Sequence, residues 1–359
     1  MPDVTARPYA PPRGMKAGGW ALLWALLIAF PLVVTNPAWT TIGIFAVMYM
    51  LAVVGWNILS GYSGYISIGH AAYYGIGQYT VALIALHMKV PGGWDLFALL
   101  PVAGITAALA AIPIGWLLLR VQKHTFIVLT IAVMFILQLC AYNFSSFTMG
   151  SEGLTVPFPT WNPTTFNNPY YYVALFCATI AVLTSWWVRR SKYGLGLLAV
   201  REDEGRAKGL GIRVTRTKLI AYVISGFFVG VAGGIYASFV GSVYPQFGFD
   251  PLFDLSLAVM AFAGGLGTLA GPILGALVLE SLQQYLQLQY GSTNVFLIVY
   301  GALFLIILRA LPGGIVPGIA DLWRRWWLHR HGFDQTAAPP RTGVPVGAAV
   351  ATEAARGAS

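Results

Sequence analysis

The feature that most constrains this chain is a succession of apolar stretches, each roughly 20 residues long, with nearly every basic residue lying in the gaps between them. A helix of that length crosses the roughly 30 Å of bilayer hydrocarbon, and each such stretch satisfies its own backbone there. Hydrophobic residues make up 57% of the chain and charged residues only 9%, against roughly 25% charged in soluble domains. The outer surface therefore faces an apolar solvent. The expected fold class is all-α, a polytopic transmembrane helical bundle.

Ten spans are expected, at 19–35, 40–59, 66–87, 96–119, 124–142, 170–188, 218–240, 253–270, 272–288 and 294–309. Alternating them from a cytoplasmic N-terminus leaves Lys89 as the one basic residue, of 21, on the external side. The others fall where cytoplasmic loops require them. They are Arg7, Arg13 and Lys16, then Arg120 and Lys123, the run from Arg189 to Lys218, and the tail from Arg309. Both termini are thereby placed in the cytoplasm. The segments 253–270 and 272–288 meet at a glycine-rich joint and are alternatively half-membrane segments, so the range is eight to ten spans.

Residues 1–18 read as a cytoplasmic N-terminal segment, 19–318 as the membrane domain, and 319–359 as a cytoplasmic tail. From about Asp334 the tail is small, Pro-rich and polar, a composition that predicts disorder. Positions 14–35 resemble a secretory signal in that basic residues precede an apolar run, but no small-x-small cleavage site follows. Trp20, Trp39, Trp94, Trp116, Trp186 and Trp187 lie near span ends, where an indole keeps its ring apolar and its N–H wet. Cys140 and Cys177 lie inside apolar runs, which gives no support to a disulfide or a zinc site. The net charge of +9 follows from membrane orientation and implies no nucleic acid.

Within the apolar background, Gly61 to Thr80 stands out for its glycines and hydroxyls. Gly61, Ser63, Gly64, Ser67, Gly69, His70, Tyr74, Gly75 and Gly77 are candidates to line a translocation pathway, because glycine interrupts a helix and interrupted helices mark substrate sites. The same small residues also serve close helix packing. Both readings stand. His70 is either a relay or a histidine bonded within the bundle.

The longest cytoplasmic connection, 189–218, carries mixed charge. Tyr193, Gly194, Arg201, Glu202, Asp203, Glu204, Arg206, Gly209 and Gly211 are its candidate functional residues. Leu195, Leu198 and Ala199, then Ala207 and Leu210, predict one or two short amphipathic helices that meet a cytoplasmic partner. Basic excess also fits an interfacial helix on anionic lipid, although the acidic triplet 202–204 disfavours lipid alone.

The energy source is read from the carboxylates. Ion-coupled carriers place charged groups within their spans, and here Glu280 is the one clearly intramembrane carboxylate, with His70 the other group such a carrier would use. No Gly-x-x-x-x-Gly-Lys-Ser/Thr loop is present, so ATP is not bound in that way by this chain. Gly265-Leu-Gly267-Thr-Leu-Ala270 matches a dinucleotide pattern by letter but follows no strand. Ser67 and His70 lack an orienting acid, which sets aside a hydrolase.

Five blocks in order resemble the LivM-like permeases of branched-chain amino acid ABC importers. They are Gly61 to Thr80; Met149 to Leu154; Ser191 to Ile212; Gly264 to Gly275, with Gly264, Gly265, Gly267 and Gly271; and Leu311 to Val316. The resemblance covers about 45–318. It implies an importer with a second, LivH-like permease subunit, two cytoplasmic ATPases and a periplasmic solute-binding protein. This chain would then bind no cofactor, ATP being held by the partner subunits, and 191–217 would be the ATPase-coupling loop. The resemblance places 143–169 and 244–254 toward the binding protein. The substrate would be a branched-chain amino acid, with urea, amides or other small solutes the alternative within the family. Gly205 departs from the expected helix-favouring residue and puts the coupling helix's continuity in question.

Overall fold

The structure, a computed structural model, describes residues 13–162 and 165–291 together with 301, 302, 305, 309, 314, 315 and 318. In chain order the helices are α1 (Arg13–Val33), α2 (Pro37–Ser63), α3 (Ala71–His87), α4 (Trp94–Phe97), α5 (Leu100–Leu118), α6 (Lys123–Asn143), α7 (Ser145–Thr148), α8 (Asn167–Arg190), α9 (Lys192–Glu202), α10 (Glu204–Gly209), α11 (Val214–Val240), α12 (Pro245–Gly248), α13 (Pro251–Gly264) and α14 (Ala270–Tyr290). Two short strands, β1 (Leu154–Thr155) and β2 (Ser242–Val243), pair antiparallel with Leu154 opposite Val243. Apart from this two-residue ladder the described residues form a helical membrane bundle, of the all-α class.

α2 forms the centre. Asn36 starts it by accepting the Ala38 N–H at 2.9 Å, with Pro37 in the first turn, where its missing N–H costs nothing. Gly64 ends it at φ 71°, a left-handed cap that favours glycine. In its most apolar window 89% of residues are buried, against 22% in α6. Thus α2 is sheathed by protein while α6 turns Val128, Ile136 and Leu139 outward. In a bilayer that face meets lipid. α11 packs on α2, α3 and α5 through glycines: a Cβ at Gly77 would stand 2.0 Å from the Gly230 carbonyl oxygen, and one at Gly233 2.0 Å from that of Tyr74.

Among the described residues, six helical segments are long and apolar enough to cross a membrane: 37–63, 94–118, 123–143, 167–190, 214–240 and 245–264. The expected count of ten is not reached by that measure. The apolar part of α1 is Gly18–Val33, α3 has 17 residues, and α14 turns polar after Glu280. The expected span 294–309 and the tail 319–359 lie outside the continuously described residues.

Two boundaries differ from expectation for a physical reason. The span predicted at 66–87 begins only at Ala71, and that predicted at 253–270 stops at Gly264. At 1.5 Å per residue α13 covers only about 21 Å, less than the hydrocarbon thickness. Each of these two helices is completed by non-helical backbone, which the bundle interior must satisfy.

Candidate functional site

The non-helical residues between α2 and α3 are held by side chains from distant elements. Trp56 Nε1 donates to the Ser67 carbonyl at 2.8 Å, and the Ile68 N–H donates to Thr130 Oγ1 at 3.2 Å. The N–H groups of His70 and Ala71 donate to the two carboxylate oxygens of Asp254 at 2.8 and 3.0 Å. Asp254 lies in the first turn of α13 and is fully buried. It therefore caps α3 from another helix, where α3 has no side-chain cap of its own. The His70 ring bridges Ser67 Oγ at 2.9 Å and Ser225 Oγ at 2.7 Å. No carboxylate orients this imidazole; Asp254 meets its backbone instead.

The pathway candidates are enclosed in this state. Gly69 abuts the Thr130 backbone, Gly75 the Phe249 ring, and Gly77 the Gly230 backbone. Tyr74 stacks on Phe253 with centroids 4.0 Å apart. Ser63 Oγ donates to the Leu59 carbonyl at 2.7 Å within α2. Gly77 against Gly230 and Tyr74 against Phe253 are contacts between helices, while Gly69 and Gly75 meet backbone or a ring of neighbouring segments. Glu280 is fully buried, and its Oε1 accepts from Gln284 Nε2 at 2.8 Å.

Beneath the break, three of the sequence blocks converge. Arg201, near the end of α9, donates from Nη1 to the Gly61 carbonyl at 2.8 Å, and its own carbonyl accepts from Lys123 Nζ at 2.9 Å. The same guanidinium lies over Gly267, where φ is +77° and a Cβ would stand 2.2 Å from Nη1. Only glycine fits both conditions. Asn57 clamps this joint, accepting the Gly267 N–H at 3.0 Å and donating to the Thr268 carbonyl at 3.1 Å. Gly264 and Gly271 touch backbone to backbone, and Gly265 caps α13.

Glu204 forms a second bridge. Its carboxylate accepts from the Tyr65 hydroxyl and pairs with Lys218 at 3.5 Å and Lys208 at 3.2 Å. Lys218 also lies 3.9 Å above the Tyr65 ring. Burial alone would raise the Glu204 carboxyl, but the Tyr65 hydroxyl and the two ammonium groups outweigh it and hold it below its ordinary value. Asp203 points outward and accepts the Arg206 N–H at 3.0 Å, a bond that lowers its carboxyl as well.

The remaining candidates divide into anchors and exposed groups. The Tyr193 hydroxyl donates to the Thr217 carbonyl, and Gly194 sits on the Val188 backbone. Glu202, Asp203, Arg206, Gly209 and Gly211 are exposed, and no neighbouring atom approaches the last two. Two expectations change here. The apolar face of α9 is Leu197 and Val200, while Leu195 is exposed. The helix break falls at Asp203, whose φ is −155°; Gly205 lies within α10. Asp203 breaks the helix because its carboxylate caps the next one.

Sequence reasoning missed Asp254. It belonged to the block 244–254 expected on the external side, yet it lies inside the bundle as a second intramembrane carboxylate beside Glu280. The pairing of β1 with β2 does bring the Met149–Leu154 block to the start of that segment.

The comparisons with known proteins agree with this architecture. Residues 39–308 match the family described as branched-chain amino acid transport system / permease component. The chain is 28% identical over 325 residues to the high-affinity branched-chain amino acid transport system permease protein LivM of Escherichia coli K12, covering 82% of this chain and 73% of that one. To LivH of the same organism it is 26% identical over 298 residues, covering 75% and 91%. A shorter stretch of 139 residues is 30% identical to the xylose transport system permease protein XylH of Haemophilus influenzae, covering 38% of this chain and 37% of that one. No solved structure matches. Helices that cross a bilayer, breaks satisfied inside the bundle and a match over most of the chain lead to one assignment: this protein belongs to the permease-component family of branched-chain amino acid transport systems.

Proposed function

We propose that this chain is the LivM-like permease subunit of an ATP-driven ABC importer that carries branched-chain amino acids across the bacterial inner membrane. It is a transport subunit without a catalytic centre or a cofactor of its own. It pairs with a LivH-like permease, takes solute from a periplasmic binding protein and draws energy from two cytoplasmic ATPases. Both termini are cytoplasmic, and α1, α3, α14 and 294–309 complete ten crossings with the six long spans.

The observation that carries this reading is the attachment of α9 and α10 to the break between α2 and α3. Arg201 holds the Gly61 carbonyl and Glu204 holds Tyr65, so movement of the exposed face of 195–211 pulls on the α2 end of the non-helical segment. ATPase closure against Leu195, Leu210 and the charged groups between them would then reshape Gly61 to Gly77, the pathway element. Reversing the charge of the exposed Glu202 and Asp203 is expected to lower leucine uptake per ATP hydrolysed by the reconstituted complex. Unchanged uptake per ATP in that variant would remove the coupling role.

A further inference from the structure

Gln78 is fully buried, yet neither atom of its carboxamide has a hydrogen-bond partner among the described residues. The neighbouring Tyr79 hydroxyl is also buried without one. Two consecutive buried polar side chains without a protein partner, directly after Gly77, are costly, because burial of a polar group is offset only when it is hydrogen-bonded. A leucine or methionine would fill the same volume without that cost. Each such group in a native fold calls for an explanation, and a bound partner is one.

The element over both residues is the same. A Cβ on Gly248 would lie 3.5 Å from Gln78 Oε1 and 3.5 Å from the Gly75 Cα. Phe249 stacks on Tyr79 with centroids 6.0 Å apart and presses against Gly75. The segment from β2 to Phe249 is a two-residue strand followed by the single helical turn of α12, and Gln138 of α6 holds it by two long bonds, to the carbonyls of Pro245 at 3.4 Å and Phe249 at 3.3 Å. Its upper end is paired to β1.

We infer that Gln78, with Tyr79, is a solute-binding station, closed in this structure by Gly248 and Phe249 and opened when that segment leaves its seat between α3 and α6. A carboxamide both donates and accepts. Its NH2 group and the Tyr79 hydroxyl suit the carboxylate of a zwitterionic α-amino acid, and its carbonyl suits the ammonium. This assignment rests on the transport reading above and adds the residue that meets the solute.

The test uses the assembled transporter in proteoliposomes, with ATP on the ATPase side, leucine-loaded binding protein on the other and radiolabelled leucine as probe. Gln78→Met is expected to cut leucine uptake per ATP by about tenfold while binding-protein-stimulated ATP hydrolysis continues. The variant complex should unfold at the same or a higher temperature, since an apolar side chain replaces an unpaired amide. Wild-type uptake by Gln78→Met overturns the inference, and so does a fall in uptake matched by a fall in unfolding temperature, which marks a structural role. If Gln78→Met does not assemble, Gln78→Leu, also apolar and of similar volume, is read by the same two outcomes. Absence of ATP-dependent leucine uptake in the wild-type complex would instead defeat the transport reading itself.

Discussion

Arg201 and Gly61 stand 140 residues apart in the chain and are joined by a 2.8 Å hydrogen bond from the guanidinium Nη1 to the carbonyl. The bond ties α9 to the last turn of the central span. A hydrogen bond made by a charged group is worth about 1.5–3 kcal/mol, enough to transmit displacement rather than merely mark proximity. Arg201→Ala is expected to lower leucine uptake per ATP by roughly tenfold while ATP hydrolysis persists. Parallel measurement of uptake and phosphate release checks this, and an unchanged ratio would show that the contact transmits nothing.

Asp254 is expected to govern where α3 begins. Asp254→Ala leaves the N–H groups of His70 and Ala71 unpaired inside the bundle, at about 1–3 kcal/mol for each. The purified complex should melt several degrees lower, and amide hydrogen exchange at 70–73 should accelerate. Asp254→Asn retains a carbonyl oxygen and should lose less. An Asp254→Ala complex with wild-type melting would contradict the capping role.

The anchorage of α10 should weaken in acid. Glu204 is held below its ordinary value of 4.5, so its contribution is complete above that pH and is lost as pH falls through the lower folded value. Exchange at 204–209 should therefore rise as pH is lowered below 4.5, after correction for intrinsic exchange. Glu204→Gln should show the same weak anchorage at every pH. A wild-type profile that stays flat below 4.5 would contradict the stabilisation.

The spans around 37–63, 123–143, 167–190 and 214–240 were legible in the sequence because hydrocarbon thickness sets the length of an apolar run directly. The blocks that converge beneath the break were legible too, since glycine density and a charged connector each signal a local departure from a plain span. Asp254 was not, because its partners lie 184 and 183 residues away and no spacing encodes that meeting. Beside Asp250 and Pro251 it reads as a surface helix start. The outward face of Leu195 was hidden because α9 is apolar on more than one side. The break at Asp203 did carry a signal: an aspartate three residues before Arg206 caps a helix as readily as glycine ends one.

Reconstitution separates ATP-driven transport from ion-coupled transport. Leucine uptake is measured in proteoliposomes holding both permeases, with and without the ATPase subunits, and with ATP or an imposed proton or sodium gradient. Uptake is expected only when ATPases, ATP and binding protein are all present, with the gradients adding nothing. Uptake driven by either gradient without the ATPases, through Glu280 or His70, would contradict that expectation.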